Sequence, residues 1–218
     1  MSKYALTGAI LAGGMNRRFN GRKKAFININ GNTILDRISD VFQDLFEEIL
    51  LVTNEPEIYP AWPFSIVSDR LPIRCSLTGI HAALYSAHFP YVFITACDTP
   101  FLHRKLVETI IDPVFSNPAD VIVPETSAGL EPLCALYSKR SISTIEQALA
   151  QKKCKVQNVL KQVSHKKIPE SVLRKADPKL LSFININSPE DLYSILAHDN
   201  LPSSIDAVHK KIAENIGV

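Results

Sequence analysis

Apolar positions in this chain follow two rhythms that alternate along most of its length. Short continuous runs read as strands: 6–11 with Thr7 and Gly8 inside it, 49–52, 65–67, and 91–96, broken only by Thr95. Between them, apolar residues recur at helical spacing. Ile34, Leu35, Ile38, Val41, Phe42 and Leu45 trace one face of a helix. Asn32 or Thr33 can cap it, and it runs to about Phe46. The pattern predicts a second helix over 79–87, with small residues on one face, and a third over 104–111. Prolines at 56, 60 and 63 make 54–63 irregular, and 71–78 reads as a loop. Asp112-Pro113 and Asn117-Pro118 mark turns. A strand over 121–123, a loop over 126–129 and a short strand over 131–137 with Pro132 at its start follow. A helix over 141–151 has Ser141 as its cap candidate. Alternating strands and helices predict an α/β fold with a mostly parallel sheet. Ligands of such sheets bind beyond the carboxyl ends of the strands.

Toward the C-terminus, Asn185 and Asn187 alternate with Ile184 and Ile186, which puts both amides on one face of an extended segment. Ser188 then caps a helix with Pro189 at its first position and Glu190 and Asp191 in its first turn. From Asp199 a short polar linker leads to an amphipathic helix over 205–216. Residues 151–179 carry nine Lys/Arg against Glu170 and Asp177. They do not fall at one helical period, so a solvated surface is favoured over a basic face turned toward an anionic acceptor or a partner protein.

Composition narrows the class. At 218 residues the chain is one domain of ordinary size, or one domain with an appendage. With 46% hydrophobic and 21% charged residues it is globular and able to bury a sizeable core. A net charge of +2 does not by itself call for nucleic acid. Cys75, Cys97, Cys134 and Cys154 stand far apart in sequence, without C-x-x-C or His spacing for a metal, and read as reduced thiols. After Lys3 the apolar run is too short for a signal peptide and is interrupted by Gly8. No run reaches the ~18–20 residues of a membrane span. The expectation is a cytoplasmic protein.

The chemistry concentrates after the first strand. Leu11 and Ala12 run into Gly13-Gly14, where bare backbone can approach a ligand closely. From Arg17 to Lys24 there are five basic residues in eight and no acid. A strand, a glycine turn and a basic loop suit a polyphosphate. Turn N–H groups form an anion-binding concavity, and flexible cations neutralise charge developing on phosphates. The pattern is neither the P-loop, with its Lys-Ser/Thr pair, nor G-x-G-x-x-G. A plain turn with a solvated basic loop is the competing reading. A second candidate is Asp98, just past the strand over 91–96 in Cys97-Asp98-Thr99-Pro100. A carboxylate there suits Mg2+, which takes about one or two protein carboxylates plus substrate phosphates. Its bland alternative, an N-cap for the helix from Arg104, is weak because Pro100 intervenes and the cap lies too far upstream. Asp69 likewise ends a strand.

The stretch from Leu11 to Ala25 resembles the nucleotide-binding signature of the molybdenum cofactor guanylyltransferases, within the wider nucleotidyltransferase family. Leu11-Ala12-Gly13-Gly14 matches in full, Arg18 stands at the motif arginine and Lys24 at the motif lysine. Three positions depart: Asn16 for a small residue, Asn20 for a glycine and Lys23 for an aspartate. Asn20 is a mild change, since Asn tolerates left-handed backbone. Lys23 removes a carboxylate beside Lys24. Cys97-Asp98-Thr99-Pro100 is similar to the family's metal-binding Cys-Asp-x-Pro. Of the family's Gly-Pro-Leu-x-Gly-Ile, only the second half is kept in Leu77-Thr78-Gly79-Ile80 after Cys75-Ser76. Pro132 to Tyr137 resembles an acceptor-side segment, and Asn185-Ile186-Asn187-Ser188-Pro189-Glu190-Asp191-Leu192 resembles a stretch whose asparagines reach the nucleotide and metal region.

The resemblance implies a three-layer α/β/α nucleotidyltransferase fold. It implies a nucleotidyltransferase domain over 1–198, with a nucleotide-binding N-terminal half and an acceptor-binding C-terminal half, and a tail over 199–218. The implied reaction joins GMP from GTP to molybdenum-bound molybdopterin and releases pyrophosphate. Lys24 and Arg18 would stabilise the triphosphate, Asp98 would hold Mg2+, and Leu11, Ala12, Gly13, Gly14 and Asp69 would meet the nucleotide. Asn185, Asn187 and Glu131 are candidates for the nucleotide region or acceptor side. A phosphate nucleophile is already anionic, so no general base is needed, and His81, His88, His103 and His165 are read as incidental. Other implied partners are cofactor-biosynthesis proteins and recipient molybdoenzymes, with no nucleic acid and no membrane. In the family Leu-Ala-Gly-Gly goes with guanine, so Leu11 favours GTP. Two other readings stay open. One is nucleotidyl transfer to another acceptor, giving the cytosine form of the cofactor or acting on a sugar phosphate. The other is a non-catalytic module that binds nucleotide and delivers the cofactor.

Overall fold

The structure is a computed structural model that describes residues 3–13 and 23–186. The basic stretch 14–22, with Gly14, Asn16, Arg18 and Asn20, lies outside the described residues. So do Asn187, the helix expected after Ser188 and the tail.

Ten strands are present among the described residues: β1 Tyr4–Leu11, β2 Asn28–Ile29, β3 Asn32–Thr33, β4 Phe46–Val52, β5 Ser65–Val67, β6 Tyr91–Ala96, β7 Val121–Thr126, β8 Gly129–Leu130, β9 Cys134–Ser138 and β10 His165–Pro169. The main sheet has the order β10-β7-β9-β6-β1-β4-β5, with β8 paired on β7. Strands β4, β1 and β6 pair in parallel, as do β4 with β5 and β7 with β10. Within this sheet only β9 and β8 run against their neighbours, and β2 and β3 form a separate antiparallel pair. The mostly parallel sheet expected from the alternating pattern is what forms.

Helices cover both faces. They are α1 Ile34–Leu45, α2 Ser76–Ser86, α3 Arg104–Ile111, α4 Ile142–Ala150, α5 Val156–Leu160 and α6 Glu170–Ala176. Successive strand residues alternate between two cores, as the period of two demands. Ile10, Leu51, Phe93, Ile122 and Leu136 join Phe42, Leu106, Ile110 and Leu173 of α1, α3 and α6. Ala9, Leu50, Val92, Ile94, Val121 and Tyr137 join Leu77, Ile80, Ile145 and Val159 of α2, α4 and α5. Two buried layers around one sheet make the three-layer α/β/α architecture.

Gly8 sets the close approach of β1 to α1. A Cβ there would stand 2.5 Å from ring carbons of both Phe42 and Phe46. Those rings meet edge to face with centroids 4.9 Å apart, and Phe93 completes the cluster. The start of α1 is fixed by Thr33 rather than Asn32. The Thr33 hydroxyl accepts from the Asp36 N–H at 3.1 Å, and the Asp36 carboxylate accepts from the Thr33 N–H at 3.0 Å. This reciprocal capping box satisfies two otherwise orphaned donors.

Several expected boundaries move. The segment 71–78 is not loop throughout: α2 begins at Ser76, three residues before the expected start. Cys75 is extended at its N-cap, the Thr78 N–H donates to the Cys75 carbonyl at 3.1 Å, and the Cys75 thiol lies 3.4 Å from the Thr78 hydroxyl. The strand expected over 131–137 begins at Cys134, because 131–134 close a turn in which the Cys134 N–H donates to the Glu131 carbonyl. The strand from Val121 continues to Thr126. In the basic segment after 151 the fold places α5, β10 and α6. Its cations lie mostly exposed, as a solvated surface. Among the described residues no helix is long and apolar enough to cross a membrane.

Candidate active site

Parallel strands ending together gather the candidate chemistry on one rim. The carboxyl ends of β1, β4, β5 and β6 deliver Leu11-Ala12-Gly13, Thr53-Asn54, Ser68-Asp69 and Cys97-Asp98. Because β9 runs the other way, its beginning meets the end of β6, with Cys134 paired to Thr95. That brings Glu131 to the same rim.

The glycine turn is held from both sides. The Ala12 N–H donates to the Val52 carbonyl at 2.8 Å, and the Cys97 N–H donates to the Leu11 carbonyl at 3.0 Å. The Leu11 side chain lies over α2, where a Cβ on Gly79 would stand 3.4 Å from it. Gly13 is exposed, and a Cβ there would meet nothing within 4 Å.

Lys24 opens a short 3-10 turn, Lys24–Phe26. Its Nζ lies 3.0 Å from Oδ2 of Asp98, with side chains 15% and 20% exposed. Residues 74 positions apart in sequence thus form one ion pair at the end of β6. Asp98 does not cap α3: the N-cap position is His103, which makes no side-chain cap bond. The turn after β6 is braced by the Thr99 hydroxyl, which donates to the Ala96 carbonyl at 2.8 Å and lies 3.1 Å from the Thr95 hydroxyl. Burial and the Asp98 carboxylate push the neighbouring Cys97 thiol up to about 12, while Lys24 and Lys23 pull the other way. Cys97 is therefore an unreactive neutral neighbour of the charged pair.

Asp69 and Asn54 pair reciprocally. The Asn54 amide donates to the Asp69 carboxylate at 2.8 Å, and the Asp69 N–H donates to the Asn54 side-chain carbonyl at 2.9 Å. Asn54 was not flagged by the sequence, although its place just past a parallel strand was a usable signal. Lys23, noted above only as a departure, forms an ion pair with Glu55. No sequence spacing points to that partner.

The C-terminal candidates come in through a buried network. Ser182 donates its N–H and its hydroxyl to Asp177 at 2.9 and 2.8 Å, and its oxygen accepts from the His103 N–H at 2.9 Å. This ties 181–183 to the start of α3. Three residues on, the Ile186 N–H donates to the Asp98 backbone carbonyl at 2.9 Å. Asn185, exposed, thus precedes a residue bonded to Asp98 itself. Glu131 accepts from the Thr126 hydroxyl at 3.1 Å, and burial pushes its carboxyl above the usual range while that hydrogen bond pulls it down.

Among the described histidines, His81 meets Glu146, His88 meets Glu48 and His165 meets the Val163 carbonyl. All four cysteines are free, and two that are distant in sequence, Cys75 and Cys154, are neighbours; Cys75, together with burial, pushes the Cys154 thiol up. Among the described residues no group of three His, Cys, Asp or Glu side chains is assembled for a metal. The donor set at Asp98 is one carboxylate facing a cation. It fits Mg2+ bound largely through substrate phosphates rather than in a protein cage.

Comparisons with known proteins point the same way. A MobA-like NTP transferase domain model matches residues 8–168. A molybdenum cofactor guanylyltransferase of Desulfosudis oleivorans is 44% identical over 188 residues, covering 86% of this chain and 93% of the relative. One of Syntrophotalea carbinolica is 31% identical over 182 residues, covering 84% and 86%. Among solved structures, molybdopterin-guanine dinucleotide biosynthesis protein A of Archaeoglobus fulgidus superposes with a TM-score of 0.77 at 26% identity, covering 86% of this chain and 95% of that one.

Proposed function

This chain belongs to the molybdenum cofactor guanylyltransferase family and is a nucleotidyltransferase, and from that premise we propose that it transfers GMP from GTP to molybdenum-bound molybdopterin. The observation that carries the proposal is the Lys24–Asp98 ion pair at 3.0 Å. It joins the two most specific motifs at the strand ends where an α/β sheet binds nucleotide.

The roles follow from charge. Lys24, which stands beside Asp98, faces the triphosphate and neutralises charge that develops at the α- and β-phosphates. Arg18 is assigned the same task from the basic loop. Asp98 is the residue that would hold Mg2+, which supplies Lewis-acid stabilisation of phosphate charge when bound. Leu11 to Gly14 place backbone against the nucleotide, and Asp69, steadied by Asn54, faces the base or ribose. Leu11 is the residue that favours guanine. Asn185, next to the Ile186 bond to Asp98, is assigned to the nucleotide and metal region, Asn187 is assigned there from the sequence alone, and Glu131 is assigned to the acceptor side. The terminal phosphate of the pterin attacks the α-phosphate in line, and pyrophosphate leaves. That phosphate is already anionic, so no histidine is needed as a base.

The same proposal assigns 1–198 to the transferase domain, with its nucleotide half first and its acceptor half second, and 199–218 to a tail. It also places the protein in the cytoplasm, in keeping with four free thiols. The product would pass to molybdoenzymes. The experiment is label transfer. With GTP labelled at the α-phosphorus, Mg2+ and molybdopterin, label enters a pterin dinucleotide. With label at the γ-phosphorus it leaves as pyrophosphate. α-Label that stays in GTP or becomes free GMP overturns the proposal.

A further inference from the structure

Lys23 and Lys24 are adjacent, yet they grip opposite sides of the rim. Lys24 reaches Asp98 past β6, and Lys23 reaches Glu55 past β4. The Lys23 side chain is 16% exposed and that of Glu55 47%. Glu55 is a fixed post. Its N–H donates to the Thr53 hydroxyl at 3.2 Å, the Thr53 N–H donates to the Val67 carbonyl at 2.9 Å, and the Ser68 hydroxyl donates to the Thr53 carbonyl at 2.8 Å. Glu55 also opens the turn Pro56–Ile58, through an Ile58 N–H bond to its carbonyl at 3.2 Å.

A second contact joins the same two turns. Phe26 stacks on Tyr59 with ring centroids 5.2 Å apart and planes 30° apart. Between the ion pair and the ring stack, the Lys24–Phe26 turn is held by Phe26 and Ile27 N–H bonds to the carbonyls of Lys23 and Lys24, at 3.1 and 3.0 Å. Lys24 is therefore the one residue of this turn whose charge is directed at Asp98, while its flanks are pinned to the β4–β5 connection.

We propose that the Lys23–Glu55 ion pair is a clamp that positions Lys24, and that Lys23 is not a phosphate-binding cation. The inference rests on Lys24 being the catalytic cation of the nucleotidyl-transfer reading. It accounts for a lysine at 23, where the family resemblance leads one to expect an aspartate. With its charge matched by Glu55, Lys23 adds an anchor without adding net charge next to Lys24.

The test uses the sign of the charge change. Lys23→Gln removes a positive charge and Glu55→Gln a negative one. A long-range effect on GTP would move the two variants in opposite directions, whereas loss of a clamp moves them together. The expected result is that each variant lowers kcat about five-fold with KM for GTP within about two-fold, since a partly exposed ion pair is modest and Lys24 acts on the transition state. The double exchange, Lys23→Glu with Glu55→Lys, restores kcat to within about two-fold of wild type. Independently of turnover, amide exchange at Phe26 and Ile27 in the ligand-free protein accelerates in both single variants and returns toward wild type in the exchange variant. Glu55→Gln lowering KM for GTP by more than about two-fold, opposite signs of the kcat change in the two variants, or unchanged amide exchange overturns the clamp. Should the wild-type protein fail to use GTP, the guanylyltransferase reading falls, and the exchange data alone decide the clamp.

Discussion

The two halves of the rim hold their carboxylates differently. Over β1, β4 and β6, Glu55 and Asp98 are each matched by a lysine of the same short turn. Over β7 and β9, Glu131 is met by the neutral Thr126 hydroxyl, and burial raises its pKa. A matched ion pair at a strand end is a preorganised device: when a polyanion arrives, the cation already stands there. A carboxyl held by burial and a hydroxyl is instead suited to directional hydrogen bonding. The contrast is in keeping with the proposed roles, phosphate chemistry in the first half and acceptor contacts in the second.

The largest break in that contrast is Asp98→Asn. It keeps the shape but removes the carboxylate assigned to the metal, and Mg2+-dependent turnover falls about 10³-fold. Turnover near wild type in a Mg2+ titration would remove Asp98 from the metal role. Lys24→Ala comes next, with a loss of about 10²-fold in kcat and GTP binding weakened far less. Single-turnover kinetics beside equilibrium binding separate the two, and unchanged turnover would reassign the lysine. Phe42→Ala supplies the reference outside the rim. Phe42 is fully buried between β1 and β4, and its loss costs about 3–5 kcal/mol in denaturant unfolding. A cost under about 1 kcal/mol would mean that the Gly8 crossing is not a tightly packed core.

Glu131→Gln is the smallest and sharpest. The folded chain keeps the Glu131 proton to a higher pH than the unfolded chain, whose value is near 4.5. More protons bound in the folded state means that stability falls as pH rises from that value through the raised one. The variant lacks this loss. Its melting temperature gains on wild type between pH 4 and 7, and KM for the pterin rises about three-fold while KM for GTP holds. A stability difference that does not change with pH would show that Glu131 is not held by burial.

How much of this was legible varies with the range of the interaction. The strand Tyr91–Ala96 and the helix Arg104–Ile111 were read to the residue, because a continuous apolar run and a clean helical period are local signals. Strand β10, His165–Pro169, was not read. It is an edge strand carrying Lys166, Lys167 and a terminal proline, which blunt the edge and make it look like loop. The start of α2 was misplaced because its N-cap residue, Cys75, makes no side-chain cap bond and is not a residue type that marks a helix start. In the site, Lys24, Asp98 and Asp69 were legible from a basic loop and from strand-end carboxylates. Glu55 was not, because its partner lies 32 residues away and the pairing exists only once β1 and β4 are neighbours. Asn185 was read from a two-residue alternation. The fold brings it in by a route that periodicity does not carry, the Asp177–Ser182 network and the Ile186 bond to Asp98.

The most direct measurement is pyrophosphate release by the wild-type protein with Mg2+ and molybdopterin, comparing GTP, CTP, ATP and UTP. Release with GTP, absent when the pterin or the metal is left out, is the predicted result. Release with CTP in place of GTP would contradict the guanine assignment resting on Leu11, and release with none of the four would contradict the transferase account of the Lys24–Asp98 pair.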